Sequence, residues 1–403
     1  MSDYCLSTKE KQELSKIFQI LLLGQLLGLP TLNSVLKKYG IKSNSYQKQY
    51  KNICKKLNIN DLKNIFGKYS ENQVLIELRK MSKNDNSCWS RKLVTLVVDD
   101  SVFKHWFGNE NLLKEFEEVY GSFFSGQYGR AVYGIKVVTL GINIGDIFYP
   151  LYFDFVKKVE KESKVKEKST EVAARLVKKW HTFVQNISKK GVELPKIHFS
   201  CDNGYSNFEL QRVCESCNLI YISVPKKQQQ IEFNVNQNSI SKMKIEEFIQ
   251  EIYIALENAH KKKNDKPFFV RLSATLCAHN QDVTLLFFRL NGSKKVSVIY
   301  TNQKNIFSKT LRRHWFNRTQ IEQFFKLLKH TLKIQEVRSH QVNCFFCKIC
   351  FFSIIAVHFQ HIVKKLRRKK LFNKEQAAIT LQRILVDDID FKDLLQNKIN
   401  AKC

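Results

Sequence analysis

Leu93-Val94-Thr95-Leu96-Val97-Val98-Asp99-Asp100-Ser101 is an apolar, β-branched run that stops abruptly on two carboxylates. It shows no apolar–polar alternation, so it reads as a strand buried on both faces, the kind found in sheets covered by helices. Two more strand-like runs follow at 132–142 and 147–156, separated by a turn at Gly145-Asp146. Residues 157–168 are a dense mixed-charge run, read as solvated. A helix is expected from about 170 to 184. A short strand at 196–200 then ends in Cys201-Asp202-Asn203-Gly204, and a helix near 207–215 with a strand at 219–224 completes the unit. The expected fold class is α/β.

Outward from this core the rhythm changes. Residues 225–300 open with Lys226-Lys227-Gln228-Gln229-Gln230, hold a polar helix near 244–258, and turn β-rich at 268–277, 283–290 and 295–300. They read as an inserted β subdomain. Residues 1–90 place apolar side chains at helical spacing, as in Leu14, Ile17, Ile20 and Leu21, then Val74, Leu75 and Leu78. Lysines fall between them. Two readings stand for this stretch: a small helical DNA-binding domain, or a helical bundle with a solvated basic face. After the insertion the chain returns to helices.

The composition narrows the class. The 403 residues carry 67 Lys and Arg against 37 Asp and Glu, a formal charge of +30, which repels itself unless a polyanion neutralises it. A hydrophobic content of 43% with 30 Phe argues against a disordered basic tail, and 5 Pro with 14 Gly argue against low-complexity classes. Residues 301–370 hold 16 Lys and Arg but 2 Asp and Glu, interleaved with aromatics, and read as a phosphate-contacting surface. The Lys364–Lys370 run within it also suits a nuclear localisation signal in a eukaryote. No secretory signal is read in the apolar run at 18–29, and the run at 345–359, interrupted by Lys348 and His358, reads as a buried helix, so no membrane partner is expected. Eleven scattered Cys suggest reduced thiols. Cys214 and Cys217, and Cys344, Cys347 and Cys350, have zinc-like spacing, but the second group marks one face of an apolar helix, where Cys packs as a small hydrophobe. No Gly-x4-Gly-Lys-Ser/Thr loop is present, so no nucleotide cofactor is expected. His105, His314, His340 and His358 lack metal-ligand spacing.

Three acidic positions share a setting. Asp99 or Asp100 ends one buried strand, Asp202 ends another, and Glu322 lies on a helix. Sites in open α/β sheets form at the carboxyl ends of strands. Carboxylates converging there call for hard cations such as Mg²⁺ or Mn²⁺, and two such ions suit phosphodiester chemistry. Each acid alone has a plainer reading, as a turn cap after a strand or a solvated helix position. The more specific stretch is Trp315-Phe-Asn-Arg318-Thr-Gln-Ile-Glu322-Gln-Phe-Phe-Lys326-Leu-Leu-Lys329, which sets Arg318, Glu322 and Lys329 at intervals of 4 and 7 on a helical surface.

That stretch resembles the Y-x2-R-x3-E-x6-K motif of DDE transposases of bacterial insertion-sequence family four, the cut-and-paste type. Arg318, Glu322 and Lys329 match at the family's spacing, and Trp315 stands in the Tyr position. Val-Val-Asp99-Asp100-Ser101 looks like the family's first Asp motif, which favours Asp99 as ligand with Asp100 as the alternative first Asp. Ser200-Cys-Asp202-Asn-Gly-Tyr205 looks like the second. The spacing of 120 positions from Asp202 to Glu322 leaves room for the β subdomain that family members insert there. The resemblance covers about residues 90–365. It implies a helical DNA-binding domain at 1–90, an RNase H-like catalytic core at 91–224 and 306–365 interrupted by the β-rich insertion at 225–305, and a helical C-terminal tail at 366–403.

The resemblance further implies a Mg-dependent transposase. Asp99, Asp202 and Glu322 would be catalytic and bind two Mg²⁺ (or Mn²⁺) ions. Arg312, Arg313, Trp315, Arg318, Lys326 and Lys329 would contact DNA. The partners would be double-stranded DNA, as terminal inverted repeats and target, and a second copy of the chain in a homodimeric synaptic complex. The location would be the bacterial cytoplasm at the nucleoid, or the nucleus if the host is eukaryotic. Two alternatives remain open: a transposase-derived DNA-binding protein that no longer cuts, and an RNase H-like nuclease without strand transfer.

Overall fold

A computed structural model describes residues 58–82, 93–104, 116–126, 129–157, 167–189, 197–236, 239–259, 268–290, 295–332 and 341–368, with scattered positions elsewhere. Most of the expected N-terminal helical domain, and the tail beyond Arg368, lie outside these residues. Within the first ninety residues, helix α1 (Ile59–Ser82) carries Val74, Leu75 and Leu78.

The strands are β1 (Val94–Lys104), β2 (Tyr120–Ser125), β3 (Arg130–Ile144), β4 (Ile147–Phe155), β5 (His198–Ser200), β6 (Ile220–Ser223), β7 (Gln230–Asn236), β8 (Ser239–Lys244), β9 (Phe268–Leu276), β10 (Gln281–Arg289) and β11 (Ser297–Thr301). They form one sheet in the order β2-β3-β1-β5-β6-β11-β10-β9-β7-β8, with β4 also on β3. β1, β3 and β4 are an antiparallel meander, and β1, β5 and β6 run parallel. The meander turns at Gly145, whose φ of 64° favours glycine over residues carrying a Cβ. At Gly141, beside a register shift in β3, the Phe148 ring lies where a Cβ would stand.

The helices are α2 (Ser169–Ser188), α3 (Phe208–Ser216), α4 (Ile245–Ala259), α5 (Ser308–Asn317), α6 (Thr319–Lys326) and α7 (Val342–Arg368), with a π-helical turn at Leu327–Thr331 between the last two. α2 begins where Glu171 accepts the Lys168 backbone N–H at 3.1 Å, and its stripe of Val172, Ala173, Leu176, Val177 and Trp180 is buried. That stripe packs on one sheet face with Leu96, Val98, Val102, Val138 and Leu140. The opposite face, with Val97, Phe103, Ile135 and Val137, is covered by Ile321, Phe324 and Leu328 and by Phe345, Phe346 and Phe352 of α7. β1 is therefore buried on both sides, as its unbroken apolar run requires. α7 is long and apolar enough to cross a membrane by length and composition, but over half of its apolar window is buried against this core.

The strands of 225–305 do not stand apart from the core. β11 pairs with β6 through Tyr300 opposite Ser223 and Thr301 opposite Ile222, so the sheet runs on without a break. α4 covers this extension, with Phe248 against Phe287 at 4.8 Å between ring centres. β9, β10, β11 and α4 fall where the sequence signals them, whereas β2 and the β7–β8 hairpin carry no such signal.

Candidate active site at the ends of the strands

Strand register separates the two neighbouring acids of β1. Asp99 is paired with Thr139 and Asp100 with Val138. Residues paired across a ladder share a face, and successive residues alternate. Asp99 thus faces the side of Val97 and Phe103, which α6 and α7 cover, while Asp100 faces the side of Val98 and Val102, which α2 covers. Asp100 is also committed: it accepts the Tyr205 hydroxyl at 2.7 Å and the Lys136 ammonium at 3.1 Å. Tyr205 sits in the short 3₁₀ turn Asn203–Tyr205 that follows Asp202, so this bond ties the end of β5 to β1.

Asp202 caps that turn, accepting the Gly204 N–H at 2.9 Å. The carboxyl of Asp99 is pushed up to about 8, first by burial, then by the carboxylates of Asp202 and Asp100, with Arg318 acting the other way. Asp202 is raised too, chiefly by burial and in part by Asp100, against the pull of Arg318. Two crowded acids that favour the proton form a site short of positive charge.

Arg318 lies at the junction of α5 and α6. Its guanidinium meets the Glu322 carboxylate at 2.9 Å and lies 4.9 Å from the Trp315 ring centre. Its Nε is buried without a hydrogen-bond partner among the described residues. Trp315, half-buried, packs on the cluster of Ile222, Leu286, Phe288 and Leu311, so it acts as the shelf on which Arg318 rests. Lys329 lies in the π-helical turn, its ammonium 5.3 Å from the Phe103 ring centre. Burial lowers it to about 8, while Asp100 and Asp99 favour its charge. Arg313 and Lys326 are exposed, and Arg312 lies over the Phe269 ring at 4.8 Å.

α5 is fixed to the sheet by a buried polar group that no local sequence pattern marks. His314 Nδ1 and Thr95 Oγ1 share a hydrogen bond of 2.8 Å, Asn317 donates to Thr95 at 3.3 Å, and Asn143 donates to the Asn317 carbonyl at 2.7 Å. His314 stacks on His198 at 3.7 Å. Burial first, then His198 and Arg313, lower His314 to about 2, so the ring is neutral. Lys136 and Tyr205 are the other site residues that spacing did not reveal; Tyr205 stood beside the second Asp motif, but its partner is 105 residues away. The cysteines of both sequence clusters are buried, and Cys347 is pushed up to about 12 by burial.

The donors of Asp99 and Asp202 are hard oxygens, and their mutual crowding suits a divalent cation. Glu322 is turned to Arg318 instead. Among the described residues, no three His, Cys, Asp or Glu side chains are grouped so as to hold a metal ion. Asp99 and Asp202 therefore fit one part of such a site, and Glu322 completes it only by leaving Arg318.

Residues 177–357 match the family model described as the transposase DDE domain. The matched stretch takes in Asp202, Arg318, Glu322 and Lys329 and leaves out Asp99. This match supports a DDE transposase. Among solved structures, a piggyBac transposase synaptic complex with hairpin DNA, determined by cryo-EM, is similar with a TM-score of 0.38 at 12% identity, covering 76% of this chain. The chain spans 56% of the length of that protein. No curated protein matches the chain.

Proposed function

We propose that the chain is a cut-and-paste transposase of insertion-sequence family four, cutting DNA at terminal inverted repeats and joining the freed ends to a target. The observation that carries this reading is the shared face. Asp99 and the Glu322 helix lie on one side of the sheet, Asp202 stands beside Asp99, and Arg318 acts on all three acids. The meander of β1, β3 and β4 beside parallel β5 and β6 supports an RNase H-like core, extended by the 225–305 strands.

Asp99, Asp202 and Glu322 would hold two Mg²⁺ or Mn²⁺ ions. Bound there, such ions activate the attacking oxygen and stabilise the leaving oxygen of a phosphodiester. The chain's own groups do the rest. Arg318 lowers the proton affinity of the two aspartates by its nearby charge, and exchanges Glu322 for a DNA phosphate as the strand arrives. Lys329, half-buried on Phe103, holds a second phosphate, with Arg312, Arg313 and Lys326 following the backbone outward. Asp100, held by Tyr205 and Lys136, positions the two aspartate-bearing segments. A second copy would complete the synaptic complex, in the bacterial cytoplasm at the nucleoid.

The Arg318–Glu322 pair favours a second reading, a DNA-binding descendant that no longer cuts. Cleavage of a supercoiled plasmid carrying the element's terminal repeats, with Mg²⁺ or Mn²⁺, separates the two. Release of a fragment with defined ends by the wild type, but not by Asp202→Asn or Glu322→Gln, supports transposition. Equal binding and no cutting by all three supports the relic. Cutting without joining to a target plasmid marks a nuclease.

A further inference from the structure

The face that carries Asp99 does not end with β1. Beyond the last residue of β1, β3 continues as a hairpin with β2, pairing Ser122 with Tyr133 and Phe124 with Ala131. Counting in twos along β3 from Thr139, the partner of Asp99, passes through Val137 and Ile135 to Tyr133. Tyr133 and, across the hairpin, Tyr120, Ser122 and Phe124 therefore share the Asp99 side of the sheet. Val137 and Ile135 are covered by the helices, but the hairpin is not: Phe124 and Tyr133 are each 67% exposed. Tyr120 stacks on Tyr133 at 6.2 Å between ring centres. Rings so placed, lying open beside a charged site, are not held there by the core. Residues 120–136 hold no Asp or Glu, and their two cations, Arg130 and Lys136, alternate onto the other face of β3. The acids nearest in sequence are Glu117 and Glu118, in the turn before β2 and away from the hairpin tip.

We infer that Phe124 and Tyr133, backed by Tyr120, form a stacking platform for unpaired DNA bases. It rests on the reading of the site as a DNA-processing centre. The strand would pass from Lys329 over Phe103 to the hairpin, its phosphates toward the cations and its bases on the rings. Aromatic faces accept any base, so the platform takes single-stranded DNA without sequence preference. Tyr133 stands two residues along β3 from Ile135, the partner of Phe103 beneath Lys329, about 7 Å of strand, so one or two nucleotides bridge the platform and Lys329.

The test uses the full chain, a fluorescein-labelled 20-mer of oligothymidine and a mixed-sequence 20-bp duplex, with Phe124→Ala, Tyr133→Ala and the double variant. The wild type is expected to bind both probes. Each single substitution should weaken oligothymidine binding about fivefold or more, the low end of base-on-ring stacking, and leave duplex binding within about twofold. Tyr133→Phe keeps the ring and should bind as the wild type does. An equal loss on both probes, or no loss on either, overturns the platform. So does a change in sedimentation of the double variant, which would make the rings a contact between copies of the chain. If the wild type binds neither probe, the DNA-processing reading itself fails.

Discussion

Asp99 and Asp100 point to opposite faces of one strand, the first toward the helix of Glu322 and the second into the hydroxyl of Tyr205 and the ammonium of Lys136. One peptide bond thus separates a carboxylate that accepts the next backbone N–H, at 2.8 Å, from one engaged by two side chains. Asp100→Asn is expected to reduce DNA cleavage about 10–100-fold, as loss of a residue that orients a ligand does. Asp99→Asn should cost more than that. Cleavage rates of the two variants in Mg²⁺ decide it; the reverse order would make Asp100 the ligand.

Arg318 lowers the proton affinity of both Asp99 and Asp202. In Arg318→Ala both carboxyls rise further, so the acidic limb of the pH–rate profile should move to higher pH. Lys is not expected to rescue, because it lacks the planar fork that meets Glu322 while lying over Trp315. A profile unmoved in the Ala variant would remove Arg318 from the electrostatics of the site.

Asp99 also links the site to stability. Without a cation, the folded chain holds the Asp99 proton up to about 8, whereas an unfolded Asp releases it near 4. The folded state then binds more protons than the unfolded one between those values, so stability falls as pH rises through them. Asp99→Asn should flatten this fall and be the more stable protein above pH 8 by about 2 kcal/mol, within the range of single core substitutions. Mn²⁺ should raise the wild-type Tm more at pH 8 than near about pH 6, and leave the variant unchanged. Thermal melts across pH, with EDTA or Mn²⁺, give the answer.

His314 acts in the opposite sense. Its ring is lowered to about 2 in the folded chain, against about 6.5 when unfolded. The unfolded state gains a proton first, so the stability this ring contributes is present above 6.5 and is lost as pH falls below it, by about 1.4 kcal/mol per unit. His314→Asn should remove that acid slope, at the cost of the stack on His198. Urea titrations between neutral and mildly acidic pH measure it; an unchanged slope would mean another group carries the acid sensitivity.

Much of the fold was legible because its signals are local. The run at 94–98 could be buried on both faces only in a covered sheet, and Gly145-Asp146 marked the turn that joins β3 to β4. The β7–β8 hairpin escaped notice because Gln, Asn and Ser dominate it, and β2 because its short alternation follows no clear breaker. Trp315 was legible as an aromatic at a motif position. Its use as a shelf for Arg318 was not, since that depends on Leu286, Phe288 and Ile222 arriving from other strands.

By itself the sequence determined the class of sheet, the order of the acidic positions, and the pairing of Arg318 with Glu322, which needs only one helical turn. It also determined the excess of positive charge. The tertiary structure decided what depends on register and on distant partners. Pairing Asp99 with Thr139 sets which acid faces the helices, and Tyr205, 105 residues on, takes the other. Strand alternation has a period of two, so a shift of one residue would exchange the two carboxylates. No local pattern fixes that choice; the packing of both sheet faces does.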